Sequence, residues 1–307
     1  MSKQNILVIK HGSLGDWIQA TGAFRLIRAY HPKANIIILT QSNYLPLAYA
    51  CNYFDEIWED NRSPLRNIIS NFKMIKKLRS NQYEHVYDLQ CSNRTNLYHS
   101  LILNKLNNWY GRAKGCSHFV PFDSSAHSVE LSRDIIKSSG INDIPEPKID
   151  WLKTRDLDEK IESFGRFVLF VPGSSKKHFR KRWTANGYAE VIDLLAKKNI
   201  NSVLTGTEID RNTIESIMRK SSTNPINLIN EAGFAEMAEL GRKAIAIIGS
   251  DTGPMHLSAA TGTPSLVLFS EVSNPNKSRP WGSHVKVLQE KNLKDLSSDI
   301  VIKKLSI

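Results

Sequence analysis

The sequence predicts an α/β protein with parallel sheets, and three observations point that way. Short apolar runs recur through both halves, amphipathic stretches of helical spacing lie between most of them, and a charged stretch with two prolines interrupts the alternation near the middle. Alternating strands and helices favour a parallel sheet covered by helices. At 307 residues, two domains are a better prior than one.

In the first half, Ile6–Ile9, Ile36–Leu39, Val86–Tyr87 and Asn107–Tyr110 read as strands. Trp17, Ala20, Phe24 and Ile27 recur at helical spacing, as do Leu65, Ile68, Ile69, Phe72, Ile75 and Leu78, and each set reads as a face buried on the sheet. The stretch INDIPEPKIDWLKTRD, residues 141–156, reads as an interdomain connection. A second series follows, with strands at 167–170, 202–205, 244–248 and 265–269 and helical patterns at 185–198 and 234–241. The expected units are 1–152 and 153–307, with the last helix able to pack back on the first. Open parallel sheets bind ligands beyond the carboxyl ends of their strands, so two facing sheets would make a cleft, and chemistry is to be sought at strand-to-helix turns.

Composition narrows the classes. No segment approaches the roughly 18 apolar residues of a membrane span, and the ILVI run is too short for the core of a signal peptide, so a cytoplasmic protein is expected. Cys51, Cys91 and Cys116 are odd in number and lack metal-ligand spacing; they read as reduced, buried thiols. A net charge of +11 favours anionic partners: nucleotides, phosphorylated lipids, a negative membrane surface or nucleic acid. Much of that charge is local. Arg62, Arg66, Lys73, Lys76, Lys77 and Arg79 fall within residues 61–82 without one acid, and a second cluster, KKHFRKR, spans 176–182.

Four turns could carry chemistry. HGSLGD, residues 11–16, follows the first strand; its G-x-x-G spacing fits neither a dinucleotide fingerprint nor a Walker loop. Asp16 there would cap the following helix, the simpler reading, or act as a general base at a cleft rim. IIGSDTGPMH enters a helix with Asp251 and Thr252 as capping residues, Gly253 for close approach, Pro254 where a missing N–H costs nothing, and His256 in the first turn. Such a helix start suits a diphosphate, and a merely well-capped helix with a core histidine explains the same residues. VPGSSKKHFRKRWT offers Ser174 and Ser175 as a phosphate cradle, with Lys181 or Arg182 to neutralise a leaving group. VLTGTEID presents Glu208, either a helix-start acid or an acceptor for two ribose hydroxyls.

Taken in order, ILVIKHGSLGDWIQATGAFRLIR, YDLQCSNRT, VPGSS with KRWT, VLTGTEID, and GSDTGPMHLSAATGTPSLVLF with PWG resemble the heptosyltransferases of bacterial lipopolysaccharide synthesis, glycosyltransferase family 9. The resemblance implies the GT-B architecture, two Rossmann-like domains facing a central cleft, the amino-terminal one holding the acceptor and the carboxyl-terminal one a nucleotide sugar. It implies inverting, metal-independent transfer of a heptose from ADP-heptose to the lipid A–Kdo inner core or its heptosylated product, with no resident cofactor and no metal. By position Asp16 matches the catalytic base and Lys181 the lysine at the diphosphate. Ser174, Ser175, Glu208, Asp251, Thr252, Gly253 and His256 match the donor site. Gly15, Arg62, Arg66 and Arg94 are expected on the acceptor side, where the basic 61–82 segment would attract an anionic glycolipid or the inner leaflet. The expected protein is a monomer, peripheral on the inner face of the cytoplasmic membrane, with no nucleic-acid partner. The rival readings are a GT-B transferase with another nucleotide sugar and a non-catalytic nucleotide- or nucleic-acid-binding protein, for which no nucleic-acid motif is found.

Overall fold

Twelve strands form two parallel six-stranded sheets in the computed structural model, which describes residues 4–64, 67–121, 123, 125–143, 146–173, 180–305 and 307. The chain divides into two compact units, Met1–Pro147 and Lys148–Ile307, the division falling inside the charged stretch 141–156.

The first sheet consists of β1 (Asn5–Ile9), β2 (Asn35–Thr40), β3 (Glu56–Glu59), β4 (Tyr83–Asp88), β5 (Leu106–Gly111) and β6 (His118–Phe119), ordered β3-β2-β1-β4-β5-β6. The second consists of β7 (Phe167–Val171), β8 (Asn201–Gly206), β9 (Ile226–Ile229), β10 (Ala246–Ser250), β11 (Ser265–Phe269) and β12 (Val285–Gln289), ordered β12-β11-β10-β7-β8-β9. Renumbered from its own first strand, the second sheet repeats the order of the first. Both are the doubly wound Rossmann order, whose winding reverses between the first and fourth strands. The switch points are therefore β1/β4 and β7/β10. Two such units in tandem are the make-up of the GT-B class.

The central strands are buried on both faces, which is why they read as continuous apolar runs: Ile6, Leu7, Val8 and Ile9 are wholly inaccessible, as are Val168, Leu169 and Phe170. The four strands without such a run, β3, β6, β9 and β12, are the four sheet edges, where one side of the ladder is open and EIWE or VKVLQ suffices. The strand expected at 244–248 lies two residues later because Ala244 still caps the helix Phe234–Lys243. The last helix, Ser298–Leu305, packs on the helix Ala185–Ala196 and on β11.

Two expectations need correction. The helix Ile68–Arg79 departs in part from the stripe read from its sequence: Leu78 is buried and Ile75 half-buried as expected, but Phe72 is 59% exposed and Asn71 and Met74 also face inward, Leu65 lying outside the described residues. The helix is turned by a polar demand, since Asn71 Oδ1 accepts a hydrogen bond from the buried Arg94 at 2.8 Å. The cysteines are all free thiols, but only Cys51 is buried; Cys91 and Cys116 are partly exposed. Among the described residues no helix is long and apolar enough to cross a membrane.

Candidate active site

Among the described residues, those singled out in the sequence fall mostly in the segments that follow strands, and each unit builds its own set.

In the first unit, β1 runs into Lys10, His11, Gly12 and Ser13, and the helix Leu14–Gln19 begins. Gln90, just beyond β4, accepts from the backbone N–H groups of His11 (2.9 Å) and Gly12 (3.2 Å), which fastens the turn across the switch point. Asp16 is the third residue of the helix. Its Oδ2 accepts from the backbone N–H (3.2 Å) and hydroxyl (3.0 Å) of Ser13, so it does the capping work predicted for an acid there. It remains partly exposed, and its other carboxylate oxygen has no protein donor among the described residues. Gly15 is buried in that first turn.

Behind the turn lies a buried network that the sequence did not disclose. Asp60, 2% exposed at the end of β3, receives Arg94 Nη2 on Oδ1 (2.6 Å), and Arg94 Nε (2.8 Å) and the Tyr98 hydroxyl (2.5 Å) on Oδ2; His11 Nε2 stands 2.9 Å from that same oxygen. Burial on its own would raise the Asp60 carboxyl, but the donors His11, Arg94 and Tyr98 outweigh it and hold the group well below the usual carboxylate range. Arg94 also donates to the Ser63 carbonyl at 2.7 Å. With its guanidinium bonded to Asp60, Ser63 and Asn71, Arg94 is a clamp for the 60–63 segment. Arg62 follows Asp60 with a left-handed backbone (φ 48°), its N–H on Asp60 Oδ1 at 2.8 Å and its side chain exposed. Arg66 lies outside the described residues. Beside this segment a cavity of about 290 Å³ is lined by Asn61, Ser63, Lys73 and Lys77 among others, with the Lys77 ammonium 4.3 Å from the centre of the Trp58 ring.

Lys10 is a second residue the sequence reading missed. It is 8% exposed, its Nζ donates to the Leu89 carbonyl at 2.9 Å, and burial depresses its pKa against the opposing pull of Asp16, Cys91 and Asp88. A lysine closing a β1 run gives no sign in sequence of a carbonyl 79 residues away.

In the second unit, β10 ends at Ser250 and the helix Gly253–Ala259 starts just after it, with Thr252 at its N-cap. Neither expected cap acts as one. The Thr252 hydroxyl turns back to the Ser250 carbonyl at 3.3 Å, and no side chain among the described residues caps the helix start. Asp251, 6% exposed, instead accepts Lys181 Nζ on Oδ2 at 2.6 Å and has His256 Nε2 3.8 Å from Oδ1. Burial raises its carboxyl, while His256 and Lys181 pull harder and lower it. Gly253 opens the helix, and His256, also 6% exposed, is buried against the acid.

Lys181 is aimed by its neighbours. Trp183 is buried with Nε1 on the Leu296 carbonyl at 3.0 Å, and the Thr184 hydroxyl caps the helix Ala185–Ala196 by accepting from Gly187 N–H at 2.9 Å. The cradle residues Ser174 and Ser175 lie outside the described residues. On their amino side, Gly173 has Asp210 against it so closely that an added Cβ would stand 2.4 Å from the carboxylate, and Arg182 Nη2 lies 3.9 Å from the same Asp210. Glu208 is exposed on the short turn after β8. Hydrogen bonds from Arg211, both at 2.7 Å, and from Asn230 at 2.8 Å lower its carboxyl to about 2. Among the described residues no three of His, Cys, Asp and Glu converge as metal ligands.

Two Rossmann-like sheets in tandem, each with polar residues at the carboxyl ends of its strands, are the architecture of the GT-B class. The profile of glycosyltransferase family 9 (heptosyltransferase) matches residues 71–304, and the chain belongs to that family. It is 22% identical over 295 residues to the lipopolysaccharide core heptosyltransferase OpsX of Haemophilus influenzae, spanning 91% of this chain and 82% of that protein. Among solved structures it is similar to a family 9 glycosyl transferase of Veillonella parvula (TM-score 0.85, 19% identity, 98% of this chain and 95% of the other). It is also similar to the Escherichia coli ADP-heptose lps heptosyltransferase II (TM-score 0.77, 21% identity, 99% and 98%).

Proposed function

We propose that this enzyme transfers a heptosyl residue from ADP-heptose to the inner core of a lipopolysaccharide precursor, with inversion at the anomeric carbon. The donor's diphosphate binds at the β7/β10 switch point, where Lys181 neutralises charge, and the acceptor binds to the first unit. The acceptor hydroxyl attacks the anomeric carbon, the bond from that carbon to the phosphate oxygen breaks, ADP leaves, and Asp16 takes the hydroxyl proton. A positioned general base contributes typically about 10²–10⁴ in rate. Because a protein cation meets the departing charge, the reaction is proposed to need no metal ion.

The observation that carries this reading is the 2.6 Å contact between Lys181 and Asp251. A lysine held by a buried acid at the carboxyl end of a Rossmann sheet is preorganised to meet a phosphate with little reorganisation. A screen of nucleotide sugars for thermal stabilisation and turnover tests it. ADP-heptose should stabilise the protein and be consumed when a lipid A–Kdo acceptor is added, and Asp251→Ala should abolish both effects. Stabilisation by a UDP-sugar alone would assign the chain another donor.

The exposed Phe72 gives the basic helix Ile68–Arg79 a membrane reading beyond charge. Lys73, Lys76 and Arg79 are exposed on the same helix as Phe72, which is itself 59% exposed, and each cation near an anionic leaflet contributes about 1 kcal/mol. We propose peripheral contact with the cytoplasmic leaflet. Binding to vesicles should rise with anionic lipid, fall with salt and weaken in Phe72→Ser; binding indifferent to all three refutes it.

A further inference from the structure

Tyr44 occupies a position that its role in the fold does not explain. Beyond β2 the chain makes a short turn, Ser42–Tyr44, pinned to the end of β3 by the Ser42 hydroxyl, which donates to Glu59 Oε1 at 2.6 Å. The turn lays the Tyr44 ring on Gly12, in the loop that leads to Asp16. A Cβ at Gly12 would stand 2.2 Å from Tyr44 Cε2, and Gly12 has φ +110°. No side chain fits there while the ring is in place. The ring is half-buried, yet its hydroxyl has no hydrogen-bond partner among the described residues. Burial raises the phenol's pKa, the Asp16 carboxylate raises it further and Arg62 lowers it, so the hydroxyl stands within electrostatic reach of both.

An aromatic ring with a flat apolar face and an unsatisfied polar tip, fixed against backbone, suits a ligand that offers both C–H groups and hydroxyls. Sugars are such ligands. We infer that Tyr44 is the acceptor platform of this enzyme: its ring carries the face of the sugar that receives the heptose, and its hydroxyl donates to an oxygen of that sugar, presenting the neighbouring hydroxyl to Asp16. The inference rests on the proposed heptosyl transfer and adds to it a residue that positions the acceptor.

Steady-state transfer from ADP-heptose to lipid A–Kdo tests it, with acceptor KM, donor KM and thermal stability measured for each variant. Tyr44→Phe loses only the hydroxyl and should raise the acceptor KM by about 2- to 10-fold. Tyr44→Leu loses the platform as well and should raise it by roughly a further 2- to 10-fold. The donor KM and the thermal shift produced by ADP should stay at wild-type values in both. An active wild-type enzyme beside variants whose acceptor KM is unchanged, or whose donor and acceptor KM rise together, overturns the inference and leaves the proposed transfer standing. A wild-type enzyme inert with this donor and acceptor overturns the transfer and the inference with it. Should Tyr44→Leu fail to fold, Tyr44→Phe alone decides.

Discussion

The Lys181 ammonium donates to Asp251 Oδ2 at 2.6 Å, joining residues 70 positions apart at one end of a sheet. Asp251 is nearly inaccessible, whereas the lysine keeps about a fifth of its side chain in solvent. The acid is thus the anchor and the lysine the group that can turn to a ligand. Lys181→Ala leaves a buried carboxylate without its donor, which costs about 1–3 kcal/mol. The expected result is a lower melting temperature together with loss of the stabilisation that ADP gives the wild-type protein. Calorimetry with and without ADP checks it, and a variant that melts lower yet responds fully to ADP removes Lys181 from the donor site.

Arg94 and Asp60 form a pair that is buried on both sides, at 9% and 1% side-chain exposure. Removing one partner of such a pair costs about 3–5 kcal/mol, because the other charge is left unpaired. Arg94→Met should lower the urea midpoint accordingly. Arg94→Lys should recover little, since an ammonium cannot reproduce the fork that reaches both Asp60 oxygens. Full stability of Arg94→Lys would show that charge, rather than the fork, holds the segment.

His31 makes stability depend on mild acid. Burial, reinforced by His85 and Arg28, lowers its pKa to about 4, and its Nε2 lies 2.9 Å from the Tyr87 hydroxyl. In the unfolded chain a histidine titrates near 6.5, at about the usual value. Between those two values the unfolded state binds more protons, so stability is complete above about pH 6.5 and declines as pH falls toward about 4. Asp60 and Asp251, whose carboxyls are lowered in the fold, add their losses only below the ordinary carboxylate range. Urea midpoints between pH 7.5 and 4.5 should therefore fall less steeply for His31→Gln than for the wild type. Identical slopes would assign the loss to other groups.

The sequence made the interior of each sheet legible and the edges illegible, for one reason. Strands covered on both faces need uninterrupted apolar residues, as ILVI in β1 does, whereas β3 at an edge needs only Ile57 and Trp58 to face inward. The residues of the proposed site divided in a related manner. Asp16, Asp251 and Lys181 follow β1, β10 and β7, so the position of a turn after a strand pointed to them. Lys10, Tyr44 and Asp60 also follow strands, β1, β2 and β3, but the groups they meet lie far away in the chain, such as Leu89 for Lys10 and Gly12 for Tyr44, and the sequence does not show which. Phe72 shows the limit of periodicity: its spacing fits a buried stripe, but Asn71 has the partner inside.

Turnover by Asp16→Asn is the most direct measure of the account, because the acid has two jobs that the substitution separates. Asparagine keeps an oxygen for the Ser13 donors but cannot accept a proton as a base. ADP release from ADP-heptose in the presence of lipid A–Kdo should fall about 10²–10⁴-fold, with the donor KM and melting temperature near wild type. Ser13→Ala, which loses its half of the cap at about 1 kcal/mol, should keep its turnover. If Asp16→Asn turns over within tenfold of the wild type, Asp16 is a helix cap and the proposed mechanism is wrong.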